Sequence, residues 1–84
     1  HIHLGNDNEM VLRHHMNWRS HTLQNLQYLN KEDLHYSACL SLSSEDAQKI
    51  KESLLANLKQ NMNLIAKSPE EEAFVFSFDF YKFD

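Results

Sequence analysis

The chain has 84 residues, a formal net charge of -4 with histidine neutral, one glycine, one proline and one cysteine. That length holds one domain at most, with a limited core. The acidic balance excludes a basic nucleic-acid footprint in these residues, and the lone Cys39 excludes an internal disulfide and points to a reducing, cytoplasmic setting.

Residues 1–8 read as a leader, with a short strand at 1–4 and a turn through Gly5, Asn6, Asp7 and Asn8. Asn6 or Asn8 is expected to cap the first helix. The remainder, 9–84, reads as a single α/β domain. A helix is predicted over 9–29, where Val11, His15, Trp18, Thr22, Leu26 and Leu29 step by three or four. Leu12, Met16 and Leu23 widen that stripe. "NKEDLHY" is a polar link. "HYSACLSL" alternates: Tyr36, Ala38, Leu40 and Leu42 take one side, His35, Ser37, Cys39 and Ser41 the other. That pattern predicts a half-buried strand.

The second helix carries the clearest local signals. Ser43 followed by Asp46 has the spacing of a capping box. Glu45 and Asp46 suit the positive end of the helix dipole. Ala47, Ile50, Leu54, Leu58, Met62 (or Asn61) and Ile65 form the predicted buried stripe, and Ser68-Pro69 closes the helix. A last strand is predicted at about 73–83, with Phe74, Phe76, Phe78 and Phe80 on one face and Val75, Ser77, Asp79 and Tyr81 on the other.

The expected fold class is therefore α+β. Two amphipathic helices would pack on one face of a small, partly parallel sheet, in (β)-α-β-α-β order with a right-handed crossover. The phenylalanines would fill the space beneath the helices, each ring removing ~150–250 Å² from water. So small a parallel sheet would keep open edges and one bare face. A partner is expected there, with Val75, Tyr81, Cys39 and Asp79 as interface residues and a homodimer as the simplest assembly.

The six histidines raise the question of a metal. His1 and His3 are two apart, His14 and His15 are adjacent, and His14 and His21 are two turns apart. None has the four-residue or Cys/His spacing of zinc sites. His14 reads as a surface residue and His15 as partly buried on the stripe. Cys39 lies mid-strand, away from any helix N-terminus that would make it a nucleophile. The G-x-S-x-G and P-loop patterns are absent. Asp79 points away from the phenylalanines and reads as solvated or paired across an interface. No catalytic residue, metal or cofactor is expected. On the first helix, Trp18 reads as a core anchor, and Arg19 is placed to reach a carboxylate or helix-end carbonyls; both are candidates for contact with another domain. No apolar run approaches the ~20 residues of a membrane helix, and no signal-peptide pattern is present.

Three stretches together resemble a known family. "LRHHMNWR", "EDLHYSACLSLSSEDAQKI" and "EEEAFVFSFDFYKF" are similar to the C-terminal domain of a family of predicted bacterial transcriptional regulators, a domain of unknown function. The matching positions are His15, Asn17, Trp18 and Arg19; Tyr36; Leu42, Ser43 and Asp46; and Phe78, Asp79 and Phe80. The likeness covers nearly the whole chain from about Val11 and includes no known catalytic motif. It implies an N-terminal winged-helix-like DNA-binding region outside these residues, in keeping with a first residue that is not methionine. The expected function is a non-catalytic dimerisation or effector domain of such a regulator, which touches DNA only through that missing region. The alternative is a sensing domain that holds a small-molecule effector between the helices and the Phe-rich strand.

Overall fold

The computed structural model describes residues 6–83. It contains two helices, α1 (Asn6–Asn25) and α2 (Ser44–Lys67). Two compact units are distinguished: residues 6–36 with Val75–Asp79, and Ser37–Phe74 with residues 80–83.

α2 forms for the local reasons its sequence announces. Ser43 adopts an extended backbone (φ -68°, ψ 158°), and its hydroxyl accepts from the Asp46 amide at 3.0 Å. The Ser43 carbonyl accepts from the Ala47 amide at 2.9 Å. One otherwise unpaired amide of the first turn is thereby satisfied. At the other end Ser68 returns to an extended backbone (φ -77°, ψ 138°), as a residue before proline must. Its amide donates to the Ile65 carbonyl at 3.2 Å, and Lys67 in the last turn complements the dipole.

α1 is displaced toward the N-terminus from its predicted span. Residues 6–8 are helical rather than a turn, so Asn8 lies inside the helix and does not cap it. Nothing in those three residues breaks a helix. The helix stops at Asn25 rather than at 29. Leu26 still donates to the Thr22 carbonyl, but Tyr28 then donates to Asn25 at 2.9 Å, a tighter three-residue closure. Asn30 next accepts from the Glu32 amide through its side chain at 2.9 Å and from the Asp33 amide through its carbonyl at 3.0 Å. That Asx-type turn makes the polar link. The strand expected at 1–4 lies outside the described residues.

The α+β expectation is overturned. The structure is all-α: among the described residues there is no strand and no sheet. Residues 35–42 and 73–83 carry no regular secondary structure, so the crossover unit and its parallel pair do not form. Alternation decides which side a side chain takes, but a strand also needs the main-chain hydrogen bonds of a second extended segment. Among the described residues no backbone–backbone bond involves either stretch.

The expected core is missing with the sheet. Among the described residues no side chain is buried. Phe78 and Phe80 remain 41% and 40% exposed and Phe74 84% exposed, so the rings do not fill a helix–sheet interior. Trp18 is likewise exposed rather than a core anchor, and His15 is exposed rather than partly buried. On α2 only Ala47, Ile50, Leu54 and Leu58 of the predicted stripe reach half-burial. Interface arguments built on open sheet edges and a bare sheet face lose their basis.

Candidate functional site

The densest polar geometry lies in the first unit, around Arg19. The α1 backbone places Arg19 one turn after His15, so the two share a face. The Val75–Asp79 segment comes to the same place from the far end of the sequence. Arg19 Nε donates to Asp79 Oδ2 at 2.7 Å, and Nη2 donates to the Phe78 carbonyl at 2.9 Å. Nη1 donates to the His15 carbonyl at 3.2 Å and stands 3.5 Å from His15 Nδ1. All three guanidinium nitrogens are thus occupied, and two of them grip consecutive residues of the C-terminal segment. A rigid planar fork suits that task; a point charge would not. The hydrogen bond to Asp79 raises the pKa of Arg19 above its ordinary value, desolvation opposes that rise, and the charge of Asp79 adds to it. The side chains stay 31% and 54% exposed, so the pair works in a largely aqueous setting.

Beside this clamp lies an aromatic group. The Trp18 ring meets His14 edge-on at 6.2 Å and His21 at 6.0 Å, and His14 lies 6.1 Å from His15. Spacings of four and three residues put His14, Trp18 and His21 on one helical face. Thr22 completes the local order by donating to the Trp18 carbonyl at 3.0 Å. In the C-terminal segment Phe76 and Phe78 pack edge to face, with centroids 6.1 Å apart at 89°. A shallow open dip of about 180 Å³ is lined by His21, Gln24, Asn25 and Tyr28. That is below the ~300–1,000 Å³ of ordinary small-molecule sites.

Of the residues expected to matter, the structure brings Arg19 and Asp79 into direct contact within one chain. Trp18 and Val75 lie in the same unit, and both are exposed. Cys39 and Tyr81 belong to the second unit and are exposed as well. Among the described residues no three of His, Cys, Asp and Glu gather to hold a metal ion, and no helix is long and apolar enough to cross a membrane.

The family model described as "Domain of unknown function (DUF4423)" matches residues 1–83. The chain belongs to this family. No curated protein and no solved structure matches it. The Arg19–Asp79 clamp of this DUF4423 chain joins "LRHHMNWR" and the aromatic C-terminal run.

Sequence reasoning missed the His14–Trp18–His21 group, although its four- and three-residue spacing was visible. The Phe78 carbonyl as an arginine acceptor had no signal at all, because a main-chain atom leaves no mark on residue identity.

Proposed function

We propose that this DUF4423 chain is a non-catalytic dimerisation or effector domain of a bacterial transcriptional regulator. DNA would be contacted by a region outside these 84 residues, as the net charge of -4 suits. One observation carries the reading. Large apolar side chains, from Leu55, Met62, Leu64 and Ile65 on α2 to Phe74 and Phe76 beyond it, are each more than half exposed, and no described side chain is buried. Apolar surface left open on this scale supports association with a partner. A dimer would also hold two DNA-binding regions at the fixed spacing that palindromic sites need.

Sedimentation across a concentration series tests the association. Twice the 9.9 kDa chain mass is expected. A single species of one-chain mass at the highest concentration overturns it. For the regulator role, DNA co-purifying with the protein that carries this domain should be enriched in palindromic segments; DNA no different from input overturns that part.

A further inference from the structure

We propose that two copies of the chain pair through residues 72–82, antiparallel and centred on Ser77, so that a strand pair forms between chains where the single chain has none. The inference rests on the dimer reading above and names its surface.

The first argument is the main chain. Residues 73–83 run without turn or bend and without a positive φ, so the segment is already extended. Among the described residues none of its amides or carbonyls bonds to another main-chain group. A second extended run adds to such a segment through those free groups. The single chain stays all-α, and a strand arises only where two chains meet.

The second argument is the edge left open. Successive residues of an extended chain send their amides and carbonyls to opposite edges. Arg19 Nη2 donates to the Phe78 carbonyl at 2.9 Å. The edge of Phe76 and Phe78 therefore faces α1, and the main-chain groups of Val75, Ser77 and Asp79 face away from it. Pairing through these three leaves the arginine clamp in place. It also stops at two chains, because Arg19 occupies the other edge.

The third argument is register. About Ser77 the run complements itself: Phe76 meets the partner's Phe78, Phe74 the partner's Phe80, and Glu72 the partner's Lys82. With Ser77 hydrogen-bonded to its own copy, the phenylalanine pairs take the closer positions, where Cα atoms stand ~4.5 Å apart. Phe76 and Phe78 are 56% and 41% exposed and free to receive those partners. A centre at Phe76 sets Phe80 against Glu72, a centre at Phe78 sets Phe74 against Lys82, and a centre at Asp79 sets two carboxylates together. Of these registers only that of Ser77 matches four phenylalanines with phenylalanines and opposes charges of unlike sign.

Cysteine crosslinking in a Cys39→Ser background tests the register. A cysteine at the centre meets its own copy at the ~5.5 Å Cα separation of a hydrogen-bonded pair, within the range a disulfide spans. A cysteine at 75 or 81 lies ~14 Å or more from its own copy, because it stands opposite the partner's Asp79 or the partner's Ala73. In a glutathione redox buffer Ser77→Cys should run as a covalent dimer on a non-reducing gel, and Val75→Cys and Tyr81→Cys as monomers. Equal crosslinking of all three is random collision and overturns the register. A charge exchange reads the same surface without cysteines. Glu72→Lys or Lys82→Glu should raise the dimer dissociation constant about tenfold, and the two together should restore it; two single changes that the double variant does not rescue overturn the pairing. Failure of Ser77→Cys to crosslink, in a chain that still sediments as a dimer, overturns this surface and leaves the dimer standing. A parent chain of single-chain mass removes the dimer reading and this inference with it, and leaves the run to a different protein.

Discussion

Arg19 joins two parts of the sequence about sixty positions apart through hydrogen bonds of 2.7 and 2.9 Å. Because the pair is exposed, its net contribution is expected to be small, about 0.2–1 kcal/mol. Arg19→Met and Asp79→Ala should each lower stability by no more than about 1 kcal/mol, and the double variant should lose no more than the larger single loss. A urea titration read at Trp18, the one tryptophan, measures this. Fully additive losses would mean that the two side chains do not interact. Arg19→Lys should recover little of the loss, since lysine keeps the charge but not the fork. The pH dependence has a definite sign. A group whose pKa is raised on folding contributes its full stability below its unfolded value and loses it only as pH climbs past the folded one. For Arg19 that window lies at extreme alkalinity, so its contribution should stay flat between about pH 7 and about pH 10. High salt, in contrast, should weaken it.

Among the elements, α2 is the one whose two ends are written in its own sequence. Ser43 satisfies the Asp46 amide and Pro69 forbids continuation; both act within a few residues. Ser43→Ala should lower α2 stability by about 1 kcal/mol, while Ser43→Asp should hold it, because aspartate also accepts from the first-turn amides. Thermal melts monitored by far-ultraviolet circular dichroism distinguish the two. Equal loss from both would mean that the cap is not made. α1 lacks such punctuation after Gly5, and its span drifted from expectation at both ends. The Phe-rich run at 73–83 shows a different failure. Its alternation is real, but alternation is a property of one segment and a strand is a property of two.

At the scale of the whole molecule, the deciding quantity is apolar surface left in water. Had Phe76 and Phe78 been fully buried, truncation to alanine would cost about 3–5 kcal/mol. At 56% and 41% exposure they have less to lose. With full burial of a phenylalanine worth about 1.5–3 kcal/mol, either truncation in the single chain should cost about 1–2 kcal/mol. Denaturant titration at concentrations too low for association checks this. A loss above about 3 kcal/mol would show that the rings sit in a closed core after all.

The sequence by itself determined what depends on near neighbours: the α2 boundaries and the polar link between the two helices. It also offered Arg19 as a residue in search of a carboxylate, without naming one. Tertiary structure alone decided that the carboxylate is Asp79, that the Phe78 carbonyl shares the guanidinium, and that the aromatic run forms no sheet. The physical reason is range. Caps and turns are settled by hydrogen bonds spanning a few residues, whereas a sheet, a core or an ion pair between the chain's two ends depends on whether distant backbone arrives to receive it, and residue patterning records only a readiness for that arrival.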